Sequence, residues 1–215
     1  LDAIILSHAD TDHFNAVPEL VDRFSVGVVY VSPVMFQHDA AALDVLSASI
    51  NAAGVPIEDL CEGDVLATGT GAVVEVLHPP PGGCRGGDNS NSIVLRMQSG
   101  SHSVLLTGDL EADGLDELLA DPPRPCDVLL APHHGSRRSR PRDMTNWAAP
   151  SWVVVSAGAA PGADQFLADF ESSGAQARWT HRDGMIEVLL DQHGMRVRPW
   201  RDRAWRPTGY SMREP

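Results

Sequence analysis

The chain has 215 residues, of which 43% are hydrophobic and 21% are charged, and its formal net charge is −13. This composition is typical of a soluble globular protein, and the length suits one substantial core or two half-domains that share an interface. No run approaches the ~18 apolar residues of a membrane span. The acidic balance argues against broad, nonspecific adhesion to nucleic acid. The three cysteines are odd in number and widely spaced, so we expect them to be unpaired.

The pattern of apolar residues predicts short strands and helices that alternate in the first quarter of the chain, which is typical of a layered α/β fold. Segment 79–87, rich in proline and glycine, is expected to be a mobile loop. Two strands near the middle and two near the end are expected to form hairpins. In chain order, the predicted elements are a strand at 3–6, a helix at 16–24, a strand at 26–31, a helix at 35–53, strands at 73–77, 92–97 and 103–107, a helix at 112–120, strands at 128–131 and 152–156, a helix at 164–172, and strands at 185–190 and 195–198.

The segment that follows the first strand carries four potential metal ligands within six positions. These ligands are His8, Asp10, Asp12 and His13. Imidazole nitrogens and carboxylate oxygens together suit Zn²⁺, Mn²⁺ or Fe rather than Ca²⁺. The alternative is a polar turn in which Asp12 caps a helix, but capping accounts for one carboxylate and for neither histidine. We therefore interpret this segment as a metal site.

A further carboxylate follows the strand predicted at 103–107, in the sequence Gly108-Asp109. Gly108 lets the backbone turn closely, and one carboxylate shared between two cations about 4 Å apart is what a two-metal phosphoester site needs. Asp109 is alternatively the N-cap of the next helix, and both roles can hold at once. Glu111, two residues further on, is interpreted as a contact to the second metal or to the substrate.

The segment 131–140 pairs two histidines with a glycine, serines and several arginines, a combination that suits an anion. His133 or His134 is expected to coordinate metal or to donate to a phosphoryl oxygen. Ser136 is expected to help cradle the same group. Two neighbouring guanidinium groups, Arg137 and Arg138, are expected to clamp a diester backbone. The alternative is a basic surface loop with incidental histidines.

Residues 8–13 (His-Ala-Asp-Thr-Asp-His) resemble the H-x-H-x-D-H signature of the metallo-β-lactamase superfamily, with Asp10 where the second histidine usually stands. Together with Gly108-Asp109 and 131–140, they resemble more narrowly the C-terminal lactamase-like domain of the ComEC competence proteins, which are membrane channels for DNA uptake. The resemblance implies an α/β fold, an αββα sandwich over residues 1–199. We expect it to be N-terminally truncated and to be followed by an irregular tail at 200–215.

The resemblance implies a metal-dependent hydrolase, specifically a phosphodiesterase that acts as a nuclease on DNA during uptake. Its cofactors are expected to be two divalent ions, Mn²⁺ or Zn²⁺, with Asp109 bridging them. The expected metal ligands are His8, Asp10, Asp12, His13 and Asp109. The expected catalytic residues are Asp12, His133 and His134. The expected substrate-binding residues are Ser136, Arg137, Arg138 and Glu111.

The implied partner is DNA, most simply a single strand, and no small organic cofactor is expected. We expect the chain to be the soluble part of a larger protein of the inner membrane, with the channel in the same full-length chain. Two alternatives stay open: a free-standing lactamase-fold hydrolase of a small phosphodiester or cell-wall ester, and a catalytically weak domain that guides DNA.

The second alternative is motivated by a departure from the family pattern. After residues 156–158 the family usually carries a histidine, and here none follows; Asp164 and His181 are possible substitutes. His78 is a possible third histidine ligand, although it is more simply a polar strand end, and Asn91 suits either a turn or a site contact. Three further histidines are expected to face solvent: His38, His102 and His193.

Overall fold

The computed structural model describes residues 1–37, 40–69, 71–159, 163–191 and 194–199. The predicted tail at 200–215, His38 and His193 lie outside these residues. The strands are β1 Ala3–Ile5, β2 Val28–Val31, β3 Ile57–Asp59, β4 Val65–Ala67, β5 Val73–His78, β6 Val94–Ser99, β7 His102–Leu106, β8 Val128–Leu130, β9 Trp152–Val155, β10 Gln176–Trp179, β11 Ile186–Asp191 and β12 Gly194–Pro199. The helices are α1 Thr11–Phe14, α2 Val17–Arg23, α3 Ala41–Ala52, α4 Ala112–Ala120, α5 Pro141–Ala148, α6 Ala163–Glu171 and α7 Thr180–Asp183.

Two sheets form the middle of the molecule. The smaller sheet has the parallel order β1-β2-β3, and the larger has the order β10-β9-β8-β7-β6-β5-β4. Within the larger sheet β4 to β7 are antiparallel, whereas β7 to β10 are parallel. The hairpin predicted near the end is also present, because β11 and β12 pair in antiparallel register.

Three clusters of apolar side chains hold the layers together. One packs α2 and α3 against the smaller sheet, with Leu46 and Ile50 of α3 buried against Val29 of β2. A second lies between the sheets and contains Val74 and Val76 of β5. The third packs α4, α5 and α6 against the outer face of the larger sheet. The resulting order of layers, helix–sheet–sheet–helix, is the predicted αββα sandwich.

Most predicted elements agree with the structure within a few residues, but the helix predicted at 35–53 is wrong at its start. Helix α3 begins at Ala41, after Ala40 in extended conformation, and Met35 lies in a preceding turn. Six short elements were not predicted, namely β3, β4, β10, α1, α5 and α7. Each is too short, or too polar in the case of α5, for its periodicity to stand out.

Segment 79–87 contains neither helix nor strand, as expected. Cys61, Cys84 and Cys126 are unpaired, also as expected. Among the described residues, no helix is long and apolar enough to cross a bilayer.

Candidate metal centre

The loop after β1 places two histidines beside each other at one end of both sheets. Ser7 anchors both rings, because its Oγ lies 2.9 Å from Nδ1 of His8 and 3.4 Å from Nδ1 of His13. Helix α1 begins directly afterwards with Asp10 as its N-cap residue, and no side chain caps it. The alternative in which Asp12 caps this helix is therefore wrong.

His8 is the most deeply buried member of this loop, with only 1% of its surface exposed. Burial, followed by repulsion from His13, lowers its pKa, so the ring is held neutral. Its Nε2 is buried without a hydrogen-bond partner and lies 3.4 Å from a carboxylate oxygen of Asp10. A buried polar atom without a partner is costly unless a ligand satisfies it. A neutral imidazole with a free Nε2 among carboxylates fits a divalent cation.

Asp109 arrives at the same point from the end of β7. Gly108 has a φ of +51°, and a Cβ at this position would lie 2.9 Å from Cβ of Ser7, so glycine permits the close approach of the two loops. Asp109 is only 6% exposed, and its backbone N–H donates to Oγ of Ser92. The N-cap residue of α4 is Glu111, so the capping alternative for Asp109 is wrong.

The His133-His134 pair follows β8 and faces Asp109 from the opposite side. Both residues have positive φ, +47° and +55°, which is uncommon for residues with a Cβ. The backbone N–H of His133 donates to the carbonyl of Gly108, which links the two loops. Nε2 of His134 lies 3.5 Å and Nε2 of His133 3.9 Å from the same oxygen of Asp109. The other oxygen of Asp109 lies 3.6 Å from Nε2 of His13.

The four imidazoles all turn the same ring nitrogen, Nε2, into the site, which is the main geometrical feature of the site. Each has a hydrogen-bonding group at Nδ1: Ser7 for His8 and His13, Glu111 for His133, and the Ser156 carbonyl for His134. Each therefore directs Nε2 inward. Two overlapping sets have ligand atoms within 4.8 Å of one another, namely His8, His13 and Asp109, and Asp12, His13 and His134. The arrangement can hold cations on either side of His13 and Asp109.

The structure thus brings together every predicted metal ligand, although to different degrees. Asp12 lies at the outer rim, with 74% of its side chain exposed and an oxygen 3.8 Å from Nε2 of His13. Asp10 reaches the site through His8. His133 and His134 lie inside the group rather than at a distance from it.

Two of the predicted substrate-binding residues, Glu111 and Ser136, form hydrogen bonds to other groups of the chain. One oxygen of Glu111 lies 2.8 Å from Nδ1 of His133, and the other accepts from Asn89. This favours a role in orienting His133 over contact with substrate. Oγ of Ser136 accepts from the backbone N–H of Arg138, so it caps a turn. Neither contact tests binding of a substrate, so both substrate-binding roles stay predictions.

The arginines of the loop fall into two pairs. Arg140 forms ion pairs with Asp143 and Asp116, and Arg142 pairs with Asp169. Arg137 and Arg138 are exposed and have no carboxylate partner within the part of the chain that the structure describes. These two guanidinium groups are available to an anion beside the histidine pair.

His78 and Asn91, which were considered as possible site residues, instead form hydrogen bonds to the backbone. His78 is buried, its Nε2 donates to the carbonyl of Ser90, and burial lowers its pKa; it belongs to neither ligand set. The amide of Asn91 bonds to the backbone of Cys84, so Asn91 stabilises the loop at 79–87. The interpretation of His78 as a third ligand is wrong.

His181 and Asp164 were considered as substitutes for the missing histidine ligand, and His102 was expected to face solvent. The ring of His181 lies 4.8 Å from that of Trp179, tilted by 42°, and His181 belongs to neither ligand set. His102 is partly buried and lies 3.5 Å from a carboxylate oxygen of Asp127, so it does not face solvent freely. The side chain of Asp164 lies outside the described residues.

Sequence reasoning missed the groups that hold the imidazoles. Ser7 and Asn89 are ordinary polar residues in sequence, although Asn89 stands in a conspicuous Asp-Asn-Ser-Asn-Ser run. Ser156 contributes its backbone carbonyl, for which no side-chain signal exists.

Comparisons with known proteins add to this geometry. Residues 1–140 match the family model of the metallo-beta-lactamase superfamily. The chain is 32% identical to ComE operon protein 3 of Bacillus subtilis (strain 168) over 198 residues, which are 92% of this chain and 23% of that protein. It is 28% identical to competence protein ComA of Neisseria gonorrhoeae over 160 residues, 74% of this chain and 20% of that protein. The chain therefore spans less than a quarter of the length of these relatives.

Solved structures extend the comparison to the fold. CmlA, a diiron beta-hydroxylase from Streptomyces venezuelae, superposes with a TM-score of 0.54 at 15% sequence identity, covering 92% of this chain and 44% of that one. At this identity the likeness concerns the fold alone. A hydroxylase on the same fold means that the reaction must be argued from the site.

Proposed function

Because the chain belongs to the metallo-β-lactamase superfamily, we propose that it is a metal-dependent phosphodiesterase, a nuclease that hydrolyses DNA. The observation that carries the proposal is that three loops far apart in sequence meet at the buried carboxylate of Asp109. Nε2 atoms of His13, His133 and His134 lie 3.5 to 3.9 Å from its oxygens, and a ring nitrogen of His8 lies within 4.8 Å of one of them. Two arginines that are free to bind phosphate lie on one of these loops. Residues 1–199 would form the hydrolase domain.

The cofactors would be two divalent ions, Mn²⁺ or Zn²⁺, held by the imidazoles and carboxylates around Asp109. Bound divalent ions supply a water of lowered pKa and neutralise charge on a phosphoryl group. Asp10 adds a hard oxygen where the family has an imidazole, and this favours Mn²⁺ over Zn²⁺. The buried, unpartnered Nε2 of His8 supports a cation at this place.

The position of each residue in the site supports a different role in the reaction. Asp12, exposed at the rim, is placed to orient a water or accept its proton. His133 and His134 each use Nδ1 for a hydrogen bond and direct Nε2 toward Asp109, which supports a role as metal ligands rather than as proton donors to phosphate. Arg137 and Arg138 would contact the diester backbone.

We further propose that the chain acts on incoming single-stranded DNA, as part of a larger protein of the inner membrane that also contains the channel. The identity to ComE operon protein 3 and to a competence protein supports this role. The relatives' additional length leaves room for such a channel.

The decisive experiment measures metal content and hydrolysis in the same preparation. The chain loaded with Mn²⁺ or Zn²⁺ is expected to cleave single-stranded DNA and the small diester bis(p-nitrophenyl) phosphate, and more rapidly with Mn²⁺. Asp12→Ala is expected to lower both rates by about 10²-fold or more, because a positioned carboxylate contributes about this much as a general base.

Asp22→Ala, which removes an exposed carboxylate from α2, is the matched control and should retain wild-type rates. Cleavage of the small diester without cleavage of DNA would favour the free-standing hydrolase. Equal background rates in the wild type and in Asp12→Ala, together with DNA binding, would favour the DNA-guiding domain and contradict the nuclease.

Replacing both Arg137 and Arg138 by alanine is expected to weaken binding of single-stranded DNA by about 10-fold at moderate salt. The slope of log K against log salt should fall in magnitude by about 1.4, since each lost phosphate contact on a single strand removes about 0.7. Hydrolysis of the small diester should change little. The measurement is fluorescence anisotropy at several salt concentrations.

The control variant removes the same charge from arginines that already have carboxylate partners, namely Arg23 with Glu19 and Arg142 with Asp169. An equal loss of DNA affinity in this control would show that net charge alone is responsible. Arg137 and Arg138 would then have no specific role in binding DNA.

A further inference from the structure

Glu111 lies between two side chains that come from different loops. One carboxylate oxygen is 2.8 Å from Nδ1 of His133, and the other accepts a hydrogen bond of 3.2 Å from the amide of Asn89. The carbonyl of Glu111 also accepts from Oγ of Ser90. The side chain of Glu111 is only 16% exposed, so these contacts form where water competes weakly.

The contact fixes where the proton of His133 resides. An ionised carboxylate can only accept, so Nδ1 of His133 must donate, and the neutral ring then carries a lone pair at Nε2. That Nε2 lies 3.9 Å from Asp109. A carboxylate that accepts from the far nitrogen of a histidine orients the ring and raises the basicity of the near nitrogen.

The backbone around His133 indicates that its orientation is over-determined. His133 and His134 both have positive φ, a conformation that persists only where its surroundings hold it. For His134 the anchor at Nδ1 is the backbone carbonyl of Ser156, which no substitution removes. For His133 the anchor is a charged side chain, which substitution can remove.

We propose that Glu111, held by Asn89, is a positioning residue that fixes the tautomer and ring orientation of His133 and thereby presents Nε2 as a ligand for a divalent cation beside Asp109. The inference rests on the proposed function, because it assigns one ligand of that site. It also gives the asparagine-rich turn at 89–91 a place in the site, through Asn89.

The test begins with the metal-free protein labelled with ¹⁵N in histidine and studied by NMR at pH 8. In the wild type, His133 is expected to be protonated at Nδ1. Glu111→Ala should yield a mixture of tautomers, whereas Glu111→Gln should largely retain the wild-type form because its amide oxygen accepts the same bond. A purely structural role would leave the tautomer unchanged.

The second readout is Mn²⁺ affinity by titration calorimetry. Glu111→Ala is expected to weaken one Mn²⁺ site by about 10- to 100-fold, the usual effect of losing such a partner, and Glu111→Gln by less. Asn89→Ala should shift affinity in the same direction by a smaller factor. Glu117→Ala, an exposed carboxylate on the same helix, is the matched control and should bind as the wild type does.

Two results would overturn the proposal: a wild-type His133 protonated at Nε2, or wild-type Mn²⁺ affinity in Glu111→Ala. If Glu111→Ala does not fold, Glu111→Gln and Asn89→Ala decide by the same two readouts. Both readouts are made without nucleic acid. A wild-type chain that binds metal as expected but cleaves no DNA would therefore contradict the nuclease and leave the role of Glu111 intact.

Discussion

Asp109→Asn is expected to abolish tight binding of divalent metal and to lower DNA hydrolysis by at least about 10³-fold, equivalent to about 4 kcal/mol of transition-state stabilisation. The reason is the position of this carboxylate. Its two oxygens face His13 on one side and the His133-His134 pair on the other, at 3.5 to 3.9 Å. Asparagine keeps the shape but removes the charge and replaces one oxygen by a donor.

The effect should exceed that of any single histidine substitution. A histidine supplies one nitrogen, whereas Asp109 offers two oxygens, one facing His13 and the other facing His134, and it is more buried than Asp12. Metal content by elemental analysis and initial rates on DNA are the measurements. Circular dichroism establishes that the variant is folded.

Asp113→Asn is the matched control, since it neutralises an exposed aspartate in the first turn of α4, four residues away. It should keep full metal content and rate. If Asp109→Asn bound two ions as tightly as this control, the shared-carboxylate geometry would not be the basis of the site.

Gly114→Ala is expected to destabilise the protein by about 3 kcal/mol or more, although alanine is normally the better helix former by about 1 kcal/mol. A Cβ at Gly114 would lie 1.9 Å from the carbonyl oxygen of Ser90 and 3.0 Å from Nε2 of His78. Backbone must move to relieve such an overlap, and overpacking of this kind costs more than the gain in helix propensity.

The site should be affected together with the core. Ser90 follows Asn89, which holds Glu111, and α4 begins next to Glu111. Moving α4 away from the turn at 89–91 would therefore lengthen the hydrogen bond between Asn89 and Glu111. We expect Gly114→Ala to weaken Mn²⁺ binding as well as stability.

Urea unfolding followed by circular dichroism measures the change in free energy of unfolding. Gly82→Ala is the control, because no atom lies within 4 Å of its Cβ position and its φ is not positive; its effect should stay within about 0.5 kcal/mol. A neutral or stabilising Gly114→Ala would mean that α4 and the 89–91 turn can separate at little cost.

The sequence alone predicted the types of the potential ligands and the places where strands deliver them. His8, Asp109 and His133 each follow a short apolar strand, and strand ends at one edge of a layered fold are where side chains can meet. Helix α3 and the β6–β7 hairpin were predictable because their periodicity depends only on neighbours in the chain. The four-layer arrangement was implied by the resemblance to a known family.

Other features could not be predicted because they depend on distances between remote segments. His78 and His133 look alike in sequence, each at the end of a strand. In the fold one ring donates to the Ser90 carbonyl in the interior and the other turns Nε2 toward Asp109. Likewise, Glu111 resembles a substrate contact until Asn89, 22 residues earlier, is found to hold it.

The sequence by itself therefore determined that imidazoles and carboxylates stand at the ends of buried strands, because apolar periodicity and residue chemistry are local properties. Only the tertiary structure decided which nitrogen of each histidine faces the centre. That choice depends on the group at Nδ1, whether Ser7, Glu111 or a backbone carbonyl, and such a partner is brought within hydrogen-bonding distance only when the sheets and loops pack together.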